Sequence, residues 1–500
     1  MGGRGRGVRH RDGCELSPAP RRDTPARGIG PRGDPPGRDP GSHGGQVSHP
    51  VESGARRELG SPEAILRHDA SVFDLRLRRD AAAGEVPDWE ALCDRAAAVK
   101  AHGLDHLDRY LEEFERRATE AGAVVHWASD AAAFCATVGD LLEEHAVERV
   151  AKSKSMLTEE CGLNPHLEER GIVVVDTDLG ERIVQLEAEP PSHIIVPAIH
   201  RSRQEIGELF HRRMGTPRGE TDPERLTRAA RRDLRTRFLS AQAGITGVNF
   251  AVAETGSLVV VTNEGNADLG MSLPPLHIAC LGIEKLIPRL DDLPTFLRLL
   301  ARSATGQPIS AYTSVVTGPR PGGELHIVLV DNGRSALLGD AAHRSALRCI
   351  RCGACLNTCP VYRRAGGHAY PGPIPGPIGS VLGPAMHEKG ASLPHASTLC
   401  GSCTAVCPVR IDLHDQLLAW RREGSPPRGF EALLARLAGF VMARPRLYRM
   451  AGALARVVWP ALRVRFPGNP AHGWLAAREL PRHPGASFSA RWARERGAGE

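Results

Sequence analysis

The sequence predicts an α/β protein with a largely parallel sheet, followed by a cysteine-rich domain and a helical C-terminal region. Up to about residue 335, short runs of branched apolar residues alternate with helix-like stretches, which is typical of strands buried on both faces. Seven of the twelve cysteines then fall between Cys349 and Cys407. The last 80 residues carry apolar patterns of helical spacing that are studded with arginine.

Length and charge limit the class of protein. A chain of 500 residues is long enough for about two to four domains. Residues 1–60 hold 11 Arg against 7 acidic residues, and residues 421–500 hold 15 Arg against 5, although the net charge is only +6. Basic ends therefore flank an acidic middle, which argues against a nucleic-acid-binding protein.

The N-terminal segment is predicted to be a disordered tail. Residues 1–60 contain 14 Gly, 8 Pro and 11 Arg, a composition that buries too little apolar surface to fold. No apolar signal-peptide core is present there, and the apolar stretches 430–443 and 450–462 are interrupted by arginines, so neither a leader nor a membrane span is predicted. Clustered cysteines indicate a ligand set rather than disulfides, so we expect a reducing, cytoplasmic location.

The elements of the α/β domain follow in order. Asp88 is a candidate N-cap for one long amphipathic helix whose apolar residues run from Leu92 to Phe114. The strands predicted after it are Val124–Trp127, Arg149–Ala151, Ile172–Val175, His193–Val196, Val248–Val252, Leu258–Val261, His277–Cys280 and Leu325–Val330.

Composition also sets the predicted domain boundaries. The α/β domain, with an N-terminal helix, is placed at 61–335, the cysteine-rich domain at 336–423 and the basic helical region at 424–500. Beyond His343 the cysteines and the Pro/Gly loop at 371–379 predict little regular structure. The C-terminal helical patterns are expected to be interrupted by Pro445, Pro460, Pro467 and Pro481.

Two cysteine runs with the spacing of bacterial ferredoxins form the most specific motif. They are Cys349-Ile-Arg-Cys352-Gly-Ala-Cys355-Leu-Asn-Thr-Cys359-Pro360 and Cys400-Gly-Ser-Cys403-Thr-Ala-Val-Cys407-Pro408. Two-residue gaps let a tight loop bring its thiolates to one cluster, while the cysteine before proline ligates the neighbouring cluster. We predict two [4Fe-4S] clusters. Cluster 1 is assigned Cys349, Cys352, Cys355 and Cys407, and cluster 2 is assigned Cys359, Cys400 and Cys403.

The second cluster lacks one evident cysteine ligand. Ser397 stands at the position where the ferredoxin spacing places it. Ser397, His395, water, or a three-iron cluster without that site all satisfy the pattern. Structural zinc is the alternative metal, but it favours four ligands in paired C-x2-C units at wider separation.

The cysteine runs and five further segments resemble one known family. The segments are Lys152-Ser-Lys-Ser-Met-Leu-Thr-Glu-Glu160, Pro191-Ser-His-Ile-Ile-Val-Pro-Ala-Ile-His200, Glu254-Thr-Gly-Ser257, Thr262-Asn-Glu-Gly-Asn266 and Ser487-Phe-Ser-Ala-Arg-Trp492. From about Asp88 to Glu423 the chain resembles the lactate utilization protein B family, whose second run also has three cysteines. The tail at 1–60 and the first copy of the Pro-Gly-Pro-Ile repeat at 371–378 depart from the family pattern.

The resemblance implies a fold and a function. It implies a LUD domain with the fold shared by sugar-phosphate isomerases and coenzyme A transferases, then a ferredoxin-like two-cluster domain. It also implies an iron–sulfur, electron-carrying subunit of a complex that oxidises L-lactate to pyruvate, with companion lactate-utilization subunits as partners. The alternatives are a subunit for glycolate or another 2-hydroxy acid, and an acyl- or phosphosugar-type enzyme with a redox-sensing cluster domain. No G-x-G-x-x-G after a strand marks a nicotinamide or flavin site.

Other residues are candidates for binding roles. Lys152 and Lys154 follow a predicted strand and could cradle an anion, although an ordinary solvated loop explains them equally. Glu254 could be a catalytic carboxylate, but a turn around Gly256 is the favoured interpretation. His193, His200 and His277, and the five scattered cysteines Cys14, Cys93, Cys135, Cys161 and Cys280, are interpreted mainly as packing residues.

The basic C-terminal region is a candidate docking surface. It combines apolar residues such as Leu433 and Phe440 with arginines from Arg436 to Arg465. Amphipathic helices of this kind dock on an acidic partner subunit, which is favoured here, or on an anionic membrane surface.

Overall fold

Two β-sheets organise the part of the chain that the computed structural model describes, which is residues 62–386, 388–424, 429–462, 483 and 485–497. The strands are β1 Val124–Ala128, β2 Arg149–Lys152, β3 Val173–Asp176, β4 Ala243–Gly247, β5 Phe250–Val252, β6 Ser257–Thr262, β7 Leu276–Gly282, β8 Leu286–Ile287, β9 Tyr312–Val316 and β10 Glu324–Val330. One sheet has the order β1-β10-β7-β4-β2-β3 and is parallel throughout. The other, β8-β5-β6-β9, is mixed.

Helices cover both sheets and continue to the C-terminal end of the described residues. They are α1 Pro62–Gly84, α2 Trp89–Asp105, α3 Leu107–Glu120, α4 Ala131–Glu144, α5 Met156–Glu160, α6 Leu163–Glu169, α7 Leu179–Leu186, α8 Arg203–Met214, α9 Pro223–Ser240, α10 Asn266–Ser272, α11 Leu293–Thr305, α12 Arg334–Gly339, α13 Ala354–Thr358, α14 Pro360–Ala365, α15 Gly376–Met386, α16 Ser402–Ala405, α17 Leu413–Gly424, α18 Gly429–Met442, α19 Pro445–Leu462 and α20 Phe488–Gly497. Among them, no helix combines the length and apolar character needed to cross a bilayer.

The parallel sheet is buried on both faces, which confirms the predicted α/β class. Alternate residues of β10 serve two cores: Leu325, Ile327 and Leu329 pack in one, and Val328 and Val330 in the other. Full burial of such a side chain contributes about 1.5–3 kcal/mol. Because both faces are covered, the strand has a continuous apolar run instead of an alternating one.

Most predicted strands are present, with one false assignment and one central omission. The prediction of a strand at His193–Val196 is wrong, because His193 Nδ1 accepts the backbone N–H groups of Ile195 and Val196 and thereby forms a turn. β4 lies inside the parallel sheet but contains only one branched apolar residue. A side chain at Gly244 would meet the carbonyl oxygen of Gly270 in α10 at 1.9 Å, so close packing of that helix explains the glycine.

Three expectations about helices are corrected. The single helix predicted from Asp88 is two helices, α2 and α3, because the backbone of His106 (φ −126°, ψ 34°) leaves the helical region. The Asp88 side chain makes no cap hydrogen bond. The cysteine-rich region is rich in short helices, and α15 includes part of the Pro/Gly loop. Pro460 lies within α19 and Pro445 begins it. Pro467, Pro481, Cys14 and the tail at 1–60 lie outside the described residues.

The N-terminal helix α1 packs against the cysteine-rich region as well as α11. Arg363 of α14 pairs with Asp69 at 2.6 Å and stacks over Phe73, with 4.1 Å between guanidinium carbon and ring centroid. Arg79 donates to the carbonyl oxygen of Val406 at 3.2 Å. This helix therefore ties the start of the described chain to the segment that carries the cysteines.

Candidate iron–sulfur centre and adjoining cavity

The two cysteine runs share one local backbone conformation. Arg351 (φ 60°) and Leu399 (φ 53°) are left-handed non-glycine residues, each directly before a cysteine. Gly353 (φ 76°) and Gly401 (φ 78°) follow those cysteines and begin the short helices α13 and α16. Left-handed conformations favour glycine and cost energy elsewhere. The same pair of strained positions in both runs shows that the runs are structural repeats.

The thiols that raise one another's pKa form two groups, and each group includes cysteines of both runs. Burial raises the pKa of Cys352, and the nearby thiols of Cys349 and Cys407 raise it further. Burial likewise raises the pKa of Cys403 to about 12, with Cys359 and Cys400 adding to the effect. Cys355 belongs with the first group, because Cys349 and Cys352 raise its pKa, although Cys403 also raises it. The cysteine before proline in each run therefore neighbours the thiols of the other run.

The sulfur atoms lie where backbone N–H groups can stabilise thiolates. Arg351 N–H donates to Cys349 Sγ at 3.4 Å, Tyr362 N–H to Cys359 Sγ at 3.5 Å, and Ile411 N–H to Cys407 Sγ at 3.3 Å. Such hydrogen bonds to sulfur, together with burial, are the features by which proteins hold and tune iron–sulfur clusters. The residues present fit the predicted group.

Ser397 is the structural counterpart of Cys349. Its hydroxyl oxygen accepts the Leu399 N–H at 3.1 Å, just as the Cys349 sulfur accepts the Arg351 N–H two residues later in the chain. His395, the other residue considered for this position, is exposed at the end of a 3-10 helix. Ser397 therefore has the local position of a cysteine, and its role as a ligand stays a prediction.

The four scattered cysteines that the structure describes have the burial expected of packing residues. Cys93, Cys135, Cys161 and Cys280 are free and buried. Burial raises the pKa of Cys93 to about 11 and that of Cys161 to about 12. Such thiols behave as small apolar groups.

The two lysines predicted to bind an anion have different surroundings. Lys152 is fully buried, and its Nζ pairs with Asp176 at 2.8 Å and Glu159 at 3.0 Å. Lys154 donates to Asp178 at 3.2 Å and to the carbonyl oxygen of Ile195 at 2.8 Å. Carboxylates enclose Lys152, whereas Lys154 lines a cavity. The anion-binding role stays a prediction.

That cavity lies at the carboxyl edge of the parallel sheet, where α/β proteins commonly bind ligands. An inner cavity of about 110 Å³ is lined by polar residues that follow β2, β4, β7 and β10, namely Lys154, Asn249, Glu284, Lys285 and Arg334. An outer cavity of about 290 Å³ shares Lys154, Asn249 and Arg351 with it. Arg351 enters both cavities from the first cysteine run, so the sheet edge and the predicted cluster meet here.

A chain of ion pairs connects the sheet edge to the first run. Arg334 binds Glu160 through two hydrogen bonds, at 2.9 and 3.0 Å, and Glu284 at 2.6 Å. The second oxygen of Glu284 lies 3.8 Å from Arg351 Nη2. Burial alone would raise the pKa of Glu284, but Arg334, Lys285 and Arg351 outweigh it and lower that pKa to about 2. Glu284, Lys285 and Arg334 were not predicted from the sequence, although each follows a predicted strand.

The remaining candidate side chains have structural partners. Glu254 lies on an exposed turn and accepts the Leu290 N–H at 3.0 Å. His193 Nε2 pairs with Asn357 Oδ1 at 2.9 Å, His277 Nε2 with the Thr246 hydroxyl at 2.7 Å, and His200 Nε2 with Glu189 at 3.1 Å. These contacts support the packing interpretation.

A larger groove, of about 1010 Å³, lies along α9 and α10. Arginines of α9 and apolar residues such as Leu269 line it. It contains none of the described cysteines, and it meets the outer cavity only at Glu264 and Asn266. The smaller cavities, in contrast, adjoin the first run through Arg351.

Comparisons with known proteins agree with this architecture. A LUD domain model matches residues 111–334, and a 4Fe-4S dicluster domain model matches residues 345–411. The chain is thus an iron–sulfur protein that joins a LUD domain to a dicluster domain, as the sequence predicts.

Relatives of similar length narrow the class. Lactate utilization protein B of Shouchella clausii (strain KSM-K16) is 41% identical over 445 residues, which cover 85% of this chain and 93% of the relative. The protein of the same name from Exiguobacterium sp. (strain ATCC BAA-1283 / AT1b) is 44% identical over 377 residues, or 73% and 80% of the two chains. The chain belongs to the lactate utilization protein B family. A crystal structure of a DUF162 family protein from Deinococcus radiodurans aligns over 45% of this chain and 98% of its own, with 15% identity and a TM-score of 0.26.

Proposed function

We propose that this chain is the iron–sulfur electron-carrying subunit of a complex that oxidises L-lactate to pyruvate. The observation that carries the proposal is the pair of repeated cysteine loops, whose thiols group across the two runs. The family supports lactate as the substrate of the system. Bound iron–sulfur clusters supply one-electron transfer. Two clusters can therefore carry the two electrons removed from a 2-hydroxy acid one at a time.

The proposed ligand set follows the thiol groups. Cys349, Cys352, Cys355 and Cys407 hold the first [4Fe-4S] cluster. Cys359, Cys400 and Cys403 would hold the second, with Ser397 as the proposed ligand of its fourth iron. The N–H groups directed at Cys349, Cys359 and Cys407 stabilise the thiolate charge. Iron and sulfide analysis of anaerobically purified protein should find about six to eight iron atoms per chain, whereas stoichiometric zinc without sulfide would exclude this function.

Companion subunits are the proposed partners. The C-terminal helices α18 and α19 expose Leu433, Leu437, Phe440 and Leu454, each 50% or more accessible, beside several arginines. This surface suits an acidic partner better than an isolated chain. Reconstitution tests the assignment: the chain, its companions and their mixture are each given L-lactate and an artificial acceptor. Pyruvate should form only in the mixture, and robust turnover by the chain alone would contradict the carrier role.

A further inference from the structure

We infer that this chain itself binds a short monocarboxylate in the inner cavity, with Arg351, Lys285 and Lys154 as its cationic contacts. The choice of a 2-hydroxy or 2-oxo acid rests on the proposed function, whereas the anion site rests on the structure alone. The site would hold the acid beside Cys349, next to the first cluster, rather than on a companion subunit.

The charge around the inner cavity calls for an anion. Arg334 is fully engaged by Glu160 and Glu284. Lys285, in contrast, has no hydrogen-bond or ion-pair partner in the described part of the chain. Arg351 reaches Glu284 only at 3.8 Å. Among the residues that line the cavity, four cations face two carboxylates, Glu160 and Glu284, and a bound carboxylate would reduce this excess.

Arg351 is the most informative contact. Its Nη1 is buried and has no hydrogen-bond partner among the described residues. A planar guanidinium with free donors matches the two oxygens of a carboxylate. The loop that holds Cys349 and Cys352 thus presents a carboxylate receptor to the cavity.

The use of lysine points to the same place. Only five of the 64 Lys and Arg residues are lysines. The four that the structure describes are buried or half-buried, although lysine is one of the residues most often found at the surface. Lys154 and Lys285 line the cavity, and Lys100 donates to the carbonyl oxygens of Glu284 and Leu286. Lys100 therefore fixes the loop that presents Lys285.

Size selects the ligand class. A cavity of about 110 Å³ corresponds to roughly three or four water molecules, which is the size of a three-carbon acid. An acyl-coenzyme A is too large for it. The outer cavity, at about 290 Å³, provides a route by which a small acid reaches the inner one.

Calorimetric titration of the full chain, purified anaerobically with its clusters, tests the inference. Pyruvate, L-lactate and inorganic phosphate are the probes. Pyruvate or L-lactate should bind one site per chain, and Lys285→Met and Lys154→Met should each weaken binding by roughly 10- to 100-fold. The matched control is Arg298→Gln, which removes an exposed cation that pairs with Asp88 and should leave binding unchanged.

A spectroscopic arm locates the bound acid. Pyruvate should shift the EPR signal of the cluster that Cys349→Ser damages and leave the other signal unchanged. No binding by cluster-loaded protein, binding unaffected by both lysine variants, or tighter binding of phosphate than of pyruvate would each overturn the inference. If the protein retains its clusters and supports lactate oxidation with its companions but binds no acid, the inferred acid site is wrong while the proposed function stands.

Discussion

The two cysteine runs have the same local conformation but different surroundings. Cys352, Cys355 and Cys359 of the first run are buried, whereas Cys400 of the second run is exposed. The first run faces the cavity through Arg351, whereas the second has buried Cys403 and Cys407, an exposed first cysteine, and a serine where the first run has the half-buried Cys349. The comparison suggests that one repeated loop serves two tasks: an inner cluster beside the cavity and an outer cluster accessible to a partner.

The largest expected effect is loss of a cluster on the run opposite to the mutated cysteine. Cys359→Ser should damage the cluster of Cys400 and Cys403, and Cys407→Ser the cluster of the first run, because the cysteine before proline is the crossed ligand. Each variant should lose up to about four iron atoms, measured by iron analysis and EPR. Cys135→Ala, at a buried cysteine outside the runs, should keep all its iron. Damage confined to the mutated residue's own run would refute the crossing.

The difference at Ser397 can be removed. Ser397→Cys should give the second cluster a fourth thiolate ligand, because Ser397 has the position and hydrogen bond of Cys349. The second cluster should then break down more slowly in air. Decay of the two EPR signals during oxygen exposure is the measurement. Thr398→Cys adds a thiol one residue away and should not slow the decay. Equal protection by both variants would show that position does not matter.

The next effect concerns helix α1, which contacts both cysteine runs. Arg76 of α1 donates to the hydroxyl groups of Thr358 and Ser402, one beside each run. Arg76→Ala should lower stability by about 1–3 kcal/mol, because the buried Thr358 hydroxyl and the half-buried Ser402 hydroxyl lose a charged partner, and should speed iron release from both clusters. Arg78→Ala, on the exposed side of the same helix, is the matched control. Its thermal midpoint under anaerobic conditions should stay near that of the parent protein.

The smallest effect is a pH dependence confined to the first run. His193 contacts Asn357 in α13, and burial lowers its pKa to about 3 against the opposing Asn357 hydrogen bond, with His68 and Lys154 lowering it further. An unfolded histidine titrates near pH 6.5, so the stability that neutral, buried His193 contributes is complete above that pH. It should fall by about 1.4 kcal/mol for each pH unit below it, until the folded pKa is reached.

Chelator-driven iron release between pH 7.5 and 5.5 measures this effect. The first cluster should become more labile than the second as the pH falls. His193→Gln should flatten the response, whereas the exposed His102→Gln should not. An identical pH response of both clusters would place the acid-sensitive group elsewhere.

The sequence predicted the features that depend on local spacing. The cysteine runs are recognised from the spacing of a few neighbouring residues, and a strand such as β10 is recognised from its continuous apolar run. β4 was missed because its glycine serves close packing by α10, which no local pattern reveals. The cavity was predicted only in part: Lys154 was a candidate, but Lys285 and Arg334 come together through crossover connections of a parallel sheet, and Arg351 reaches them from the first cysteine run. Polar residues after each predicted strand were the signal that could have found them.

The docking of α1 also bears on the order in which the protein matures. Its contacts with the cysteine-rich region join residues 282 to 327 positions apart. Such distant contacts form late in folding, because closing a long loop costs entropy before any contact repays it. A ribosome releases α1 long before the cysteines emerge. The cysteine loops are therefore open to iron and sulfide donors until α1 closes over them, and removal of this helix should affect cluster retention more than cluster assembly.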